Sequence, residues 1–127
     1  MGKLTASELR YLLAIDEGKE KIRMVDISKK TGISKPSVSQ AVSKLEKRGL
    51  VVKGELLSLT EDGKAILTEY KDIVLWLQNH LSIHCGVSEN IAYQDALGVA
   101  CTFSDVSRAG IVKFMREMCE KQKKGGI

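Results

Sequence analysis

One stretch limits the architecture more than any other: Ser34 to Leu50, Ser-Lys-Pro-Ser-Val-Ser-Gln-Ala-Val-Ser-Lys-Leu-Glu-Lys-Arg-Gly-Leu. Its pattern is that of a helix. Ser34 suits an N-cap, and Pro36 falls in the first turn, where a missing N–H costs nothing. Val38, Ala41, Val42 and Leu45 recur at i, i+3, i+4 and i+7, which makes one apolar stripe facing a core. Gly49 provides the left-handed residue that ends such a helix. The remaining faces carry Ser37, Ser39, Gln40, Ser43, Lys44 and Lys47. These side chains are short or flexible, hydrogen-bonding, and neutral or positive. A helix lying in a DNA major groove needs that chemistry to meet base edges and phosphates.

The flanking segments narrow the reading. Val25 to Thr31 predicts a short helix with Val25 and Ile27 apolar, and Thr31-Gly32-Ile33 is a tight turn. Helix, glycine-containing turn and longer helix make a helix-turn-helix. After it, Leu50-Val51-Val52 and Leu56-Leu57-Ser58-Leu59 are strand candidates around Lys53-Gly54-Glu55. A hairpin in that place is a wing, with Lys53 expected at its tip and within reach of a phosphate.

Charge follows the same segment. Between Arg23 and Lys53 stand eight basic and two acidic residues, a local net charge of +6 in a chain of net +4. Such concentration is the electrostatic footprint of a nucleic-acid-binding element. Hydrophobic residues at 43% are enough for a core, and aromatics at 5% make that core one of Leu, Ile, Val and Ala. No run of eighteen apolar residues suggests a membrane span, and the amino terminus lacks the apolar stretch of a secretory signal. A cytoplasmic protein is expected, with no membrane association. Three cysteines, Cys85, Cys101 and Cys119, are odd in number and lie in helical contexts, which fits reduced, small buried side chains rather than a disulfide framework.

Around this centre the chain reads as mainly α. Thr5-Ala6-Ser7-Glu8 is a capping box opening a first helix with Leu9, Leu12 and Leu13 buried, ending near Glu17-Gly18. Thr60 caps a long helix, about 61–82, striped by Ile66, Tyr70, Ile73, Val74, Leu77 and Leu81. His84 to Val87 is a break. Ser88 caps a helix carrying Ile91, Ala92, Ala96 and Val99, and Ser104-Asp105 caps a last one striped by Ile111, Phe114, Met115 and Met118. Glu120 to Ile127 reads as a frayed tail. The expected organisation is a winged helix-turn-helix DNA-binding domain over 1–69 and a short helical dimerisation domain over 70–127. The second part is too small to bury its stripes alone, so a two-fold homodimer through the C-terminal helices is predicted.

The order of these parts resembles the iron-dependent repressor family, which includes the diphtheria toxin repressor and the manganese transport regulators. The resemblance is carried by Thr5 to Leu12, by Arg23 to Ser39 across the helix-turn-helix, and by Leu59-Thr60-Glu61-Asp62-Gly63 after the wing. Gly86 to Glu89, Tyr93 to Ala96 and Ser104-Asp105 extend it into the second part. It implies a homodimeric winged-helix repressor of double-stranded DNA, switched on by Fe²⁺ or Mn²⁺. It places Ser34, Pro36, Ser37, Ser39 and Gln40 at DNA-facing positions; Lys35, Lys44 and Lys53 join them as phosphate contacts. Asp95, which also matches, reads as a structural hydrogen-bonding residue.

The family's metal ligands do not carry over. At the matching positions stand Arg10, Leu13, Val74, Leu97, Ala100 and Cys101, of which only Cys101 is able to ligate. No cofactor is predicted. An alternative divalent-metal set would be His80, His84, Cys85 and Cys101, the two histidines lying at i and i+4. The simpler reading of those histidines is helix capping. Any small-molecule effector is unidentified; the place to seek one is the space between Leu13, Val74 and Leu97. The leading function is a sequence-specific transcriptional regulator, probed at the bases by Gln40. The alternative is an interaction module that binds DNA weakly or not at all and dimerises with another regulator. No nucleophile–base set or glycine-rich phosphate loop points to an enzyme.

Overall fold

The computed structural model describes residues 3–124, in two compact units, Met1–Thr68 and Glu69–Ile127. The element order is α1 (Ala6–Glu17), α2 (Met24–Thr31), α3 (Lys35–Lys47), β1 (Val51–Lys53), β2 (Leu57–Leu59), α4 (Glu61–His84), α5 (Glu89–Thr102) and α6 (Asp105–Lys124). The fold is mainly α with a winged helix-turn-helix in the first unit. Helix α4 begins in that unit and continues into the second.

Caps define each helix of the first unit. The Thr5 hydroxyl accepts the Glu8 N–H (3.1 Å) and the Glu8 carboxylate accepts the Thr5 N–H (3.0 Å), closing the expected capping box of α1. Asp26 does the same for α2, accepting the Arg23 N–H at 2.9 Å. The turn into α3 is built by Gly32 at φ +74°, a conformation that carries a steric cost for any residue with a Cβ. Hydroxyls fix it on either side: Ser28 donates to the Ile33 carbonyl (2.6 Å), and Thr31 donates to the Ile27 carbonyl (2.7 Å).

Leu9, Leu12, Ile27, Val38, Val42, Leu45, Leu57 and Ile66 are the centre of the first core, each at most 1% exposed. Helix α3 packs on α1, α2 and β1. It ends at Lys47, with Arg48 as C-cap and Gly49 beyond it in the expected left-handed region. The Gly49 N–H reaches the Glu46 carbonyl (2.9 Å) and the Leu50 N–H the Leu45 carbonyl (3.0 Å), a Schellman closure that buries Leu45 and Leu50 together.

The wing is shorter than its apolar runs suggest. The antiparallel pairs are Val51 with Leu59, Val52 with Ser58 and Lys53 with Leu57. Ile22 bridges to Leu57 and adds a third edge to this small sheet. Lys53 is the last residue of β1, so the tip is Gly54-Glu55-Leu56 rather than Lys53.

The sequence Leu59-Thr60-Glu61-Asp62-Gly63 ties these parts together. The Thr60 hydroxyl donates to the Gly49 carbonyl (2.6 Å) and accepts the Gly63 N–H (3.0 Å), while the Thr60 N–H reaches the Leu50 carbonyl (3.0 Å). Gly63 lies so close that a Cβ there would stand 2.0 Å from the Leu50 carbonyl oxygen.

In the second unit, α5 buries the expected Ala92 and Ala96 together with Leu97 and Ala100, while the expected Ile91 and Val99 are 56% and 40% exposed. On α6 the buried residues are Arg108 and Val112; Phe114 (63%) and Met118 (44%) of the expected stripe face solvent. The Arg108 guanidinium lies over the Tyr70 ring, 4.0 Å from its centroid. It donates to the Phe103 carbonyl (2.8 Å) and pairs with the Asp105 carboxylate. The start of α6 is thereby fastened to α4. The supposed tail is helical through Lys124: Glu120, Lys121, Gln122, Lys123 and Lys124 are good helix formers, and only 125–127 of it lie outside the described residues. Asp95 is exposed and makes no hydrogen bond among the described residues, contrary to its expected structural role.

Replacing Gly63 by Ala should lower the urea midpoint at unchanged m-value. Forcing a Cβ against a backbone carbonyl costs about 2 kcal/mol, more than the roughly 1 kcal/mol Ala gains over Gly in a helix. An unchanged midpoint would show that the clasp yields freely.

Candidate nucleic-acid interface

The buried stripe of α3, Val38, Val42 and Leu45, determines what its other side presents. Opposite it, Pro36, Gln40, Ser43 and Lys47 follow at i, i+4, i+7 and i+11. Pro36, Gln40 and Lys47 are exposed and Ser43 half-buried; Lys44 is exposed on the flank of the same face. At the amino end, Ser34 caps the helix, accepting the Ser37 N–H at 3.4 Å and donating to the Ser37 hydroxyl at 2.9 Å. Lys35 and Ser37 are exposed there, and Ser39 is half-buried. Seven of the eight expected residues therefore lie on one helix and its cap.

Lys53 reaches the same surface by a different route from the one expected. Its ammonium donates to the Ser43 hydroxyl at 2.8 Å, so the wing is latched back onto α3 rather than extended from it. The tip carries Glu55 and the exposed Leu56 instead of a cation.

The basic residues of this segment divide by partner. Arg23 pairs with Asp26, Lys30 with Glu17 (2.6 Å) and Arg48 with Glu8 (2.5 Å). Those three hold the scaffold. Lys29, Lys35, Lys44 and Lys47 are exposed and make no ion pair among the described residues. Lys29 is on α2 and the other three are on α3, where positive charge left unpaired is available to an external anion.

The Arg48–Glu8 pair ties the C-cap of α3 to the first turn of α1. Burial pushes the Glu8 carboxyl up, but the Thr5 N–H and the Arg48 guanidinium outweigh it and hold the carboxyl below the ordinary range. Asp26 is likewise lowered, first by the Arg23 guanidinium and then by the Arg23 N–H.

The positions matching the family's metal ligands do not fit a hard divalent ion. Leu13, Val74, Leu97 and Ala100 are buried hydrocarbon, at most 5% exposed, and Arg10 is a half-buried cation. Among the described residues no three His, Cys, Asp or Glu side chains gather as a metal-binding group, so His80, His84, Cys85 and Cys101 do not form one set. Cys85 and Cys119 are exposed and Cys101 half-buried, not the buried thiols expected.

Residues 3–56, from the start of the chain to the wing tip, match the model of the MarR family. The fold resembles the manganese regulator SloR (TM-score 0.66, 25% identity, covering 91% of this chain and 55% of that one). It also resembles the metal-dependent transcriptional regulator MtsR (TM-score 0.68, 23% identity, 86% and 53%). A hypothetical protein of Sulfolobus solfataricus, SSo2273, matches over nearly its whole length (TM-score 0.63, 21% identity, 88% and 89%). The chain thus spans about half the length of the two metal regulators. No curated protein matches it. The chain carries a MarR-type winged-helix domain, a fold of transcription regulators, and no helix among the described residues is long and apolar enough to cross a membrane. The sequence match is to the MarR family; the likeness to the metal-dependent regulators is one of fold.

Because the Glu8 carboxyl is held low in the folded state, its contribution to stability is complete above the ordinary carboxylate value and is lost as pH falls through the lowered one. Between about pH 5 and pH 3, the urea midpoint of Glu8→Gln should therefore fall less steeply than that of the parent chain. Parallel curves would mean that Glu8 titrates alike folded and unfolded.

Proposed function

We propose that this protein is a sequence-specific DNA-binding transcriptional regulator, a repressor in architecture, that acts as a two-fold homodimer without the metal site of the iron- and manganese-dependent repressors. The observation that carries the reading is the outward face of α3. Its readers, Pro36, Gln40 and Ser43, stand among three lysines of the same helix, Lys35, Lys44 and Lys47, that make no ion pair among the described residues. Gln40 pairs with adenine through its amide, which has a donor and an acceptor at the spacing of the base edge. Pro36 and the Ser37 and Ser39 methylenes meet thymine methyls. Ser34, Lys35, Lys44 and Lys53 bind phosphate and set the register.

Dimerisation through the second unit is supported by the apolar side chains it leaves in solvent: Ile83 (72%), Val106 (83%) and Phe114 (63%), with Ile91 and Met118. A soluble monomer has little use for so many. Two copies place two α3 helices in successive major grooves, about 34 Å apart. The names SloR and MtsR suggest the architecture; the ligand positions of this chain argue that DNA binding proceeds without their signal.

The test is binding of the purified protein to a genomic fragment library, with EDTA and with added Mn²⁺ or Fe²⁺. Selective binding that is indifferent to both treatments is expected; strict metal dependence would overturn the metal-free reading, and absence of selective binding the regulator itself. Within a selected site, Gln40→Ala should lose about 1–3 kcal/mol of discrimination while keeping non-specific affinity. Lys44→Ala should instead weaken all sequences and reduce the salt slope by about one. An equal loss on every sequence for Gln40→Ala, or an unaltered slope for Lys44→Ala, would reassign those side chains.

A further inference from the structure

Near the end of α4, three rings stand one above another on one helix face. Trp76 is stacked on His80, with ring centroids 4.0 Å apart and planes at 28°, and His80 faces His84 at 5.2 Å and 49°. Trp76, His80 and His84 are all exposed. Spacing of i, i+4 and i+8 accounts for the row, but not for the state of the imidazoles.

Nδ1 of His80 lies 2.9 Å from the Trp76 carbonyl oxygen. A carbonyl only accepts, so Nδ1 is the protonated nitrogen and donates. In the neutral ring Nε2 then carries the free lone pair. A backbone carbonyl that fixes tautomer and ring orientation in this way is the usual support of a metal-binding histidine. The separation also fits. Zinc–nitrogen bonds of about 2.0–2.1 Å at a tetrahedral angle put the centroids of two imidazoles on one ion about 5 Å apart.

We propose that His80 and His84 form a bidentate surface site for a borderline divalent ion, Zn²⁺, Ni²⁺ or Cu²⁺, whose remaining coordination positions are filled by water. Imidazole is the ligand these ions favour and Mn²⁺ does not. The site differs from the family's ligand positions, where this chain has Arg10, Leu13, Val74, Leu97, Ala100 and Cys101. It also stands apart from the proposed DNA reading: both histidines are on the second unit, and the site is intact whether or not α3 binds DNA. Binding joins two residues one turn apart in the last two turns of α4 and so resists fraying of that helix end.

The chain reports on the site itself, because Trp76 is its one tryptophan. Titrating the full chain with Ni²⁺ or Cu²⁺ should quench Trp76 fluorescence saturably, one ion per chain, and Zn²⁺ should reverse the quenching by competition. Chelation by two linked ligands exceeds binding by one about a hundredfold, so His84→Ala should weaken Ni²⁺ binding by about that factor. His84 does not stack on Trp76, so this variant leaves the reporter intact, and its exposure leaves helicity unchanged by circular dichroism. His80→Ala, read by calorimetric Zn²⁺ titration because it alters the fluorophore's surroundings, should lose binding equally. Cys85→Ser should bind as the parent does. Parent-like affinity in His84→Ala would overturn the proposal, as would loss of binding in Cys85→Ser, which would assign the ion to the thiol.

Discussion

The hydroxyl of Thr60 holds the first unit in its working shape. It donates to the carbonyl that closes α3 and accepts the N–H of Gly63 in the first turn of α4, while the Thr60 backbone reaches Leu50 at the root of the wing. Three elements whose mutual angle must be fixed thus meet at one residue. Gly63 makes the meeting possible, since any side chain there would collide with the Leu50 carbonyl. What looks in the sequence like a simple helix start is a joint. The outward face of α3 has a defined direction because its carboxyl end is clasped there, while its amino end is set by Gly32 and the hydroxyls of Ser28 and Thr31.

Local determinants explain how much of this was legible. The capping boxes, the left-handed glycines and the Val38–Val42–Leu45 stripe are encoded within a few residues of where they act, and the helix-turn-helix follows from them. Burial in the second unit was not legible in the same way. Ile91, Val99, Phe114 and Met118 recur at helical spacing but are exposed, while beside the expected Ala92 and Ala96 the chain buries Leu97, Ala100 and Val112. Periodicity tells which residues share a face and not whether the chain itself covers that face. Small residues admit close approach, and Ile91 and Val99 beside them are left outside. Arg108 was missed for a related reason: a buried arginine has no signature except the ring, carbonyl and carboxylate that receive it, and these lie on α4, on the loop and on its own helix.

The basic segment shows a second limit. Eight cations in thirty-one residues suggest a uniform positive surface, but carboxylates on α1 and α2 neutralise three of them for structural ends. The cations that remain are fewer and better placed than the sum suggests. Partner identity, which decides this, becomes visible only when residues distant in sequence, such as Glu8 and Arg48, are brought together.

The contact between Lys53 and Ser43 bears on recognition through entropy rather than charge. A free lysine surrenders up to about 2 kcal/mol of rotamer freedom when it is fixed against a partner. Here one of the three N–H groups of the ammonium is already held at 2.8 Å by a hydroxyl of α3, and two remain to donate. An anion arriving at that point meets a cation whose ordering has been done by the fold, and the wing lysine acts as a rigid donor rather than a searching one.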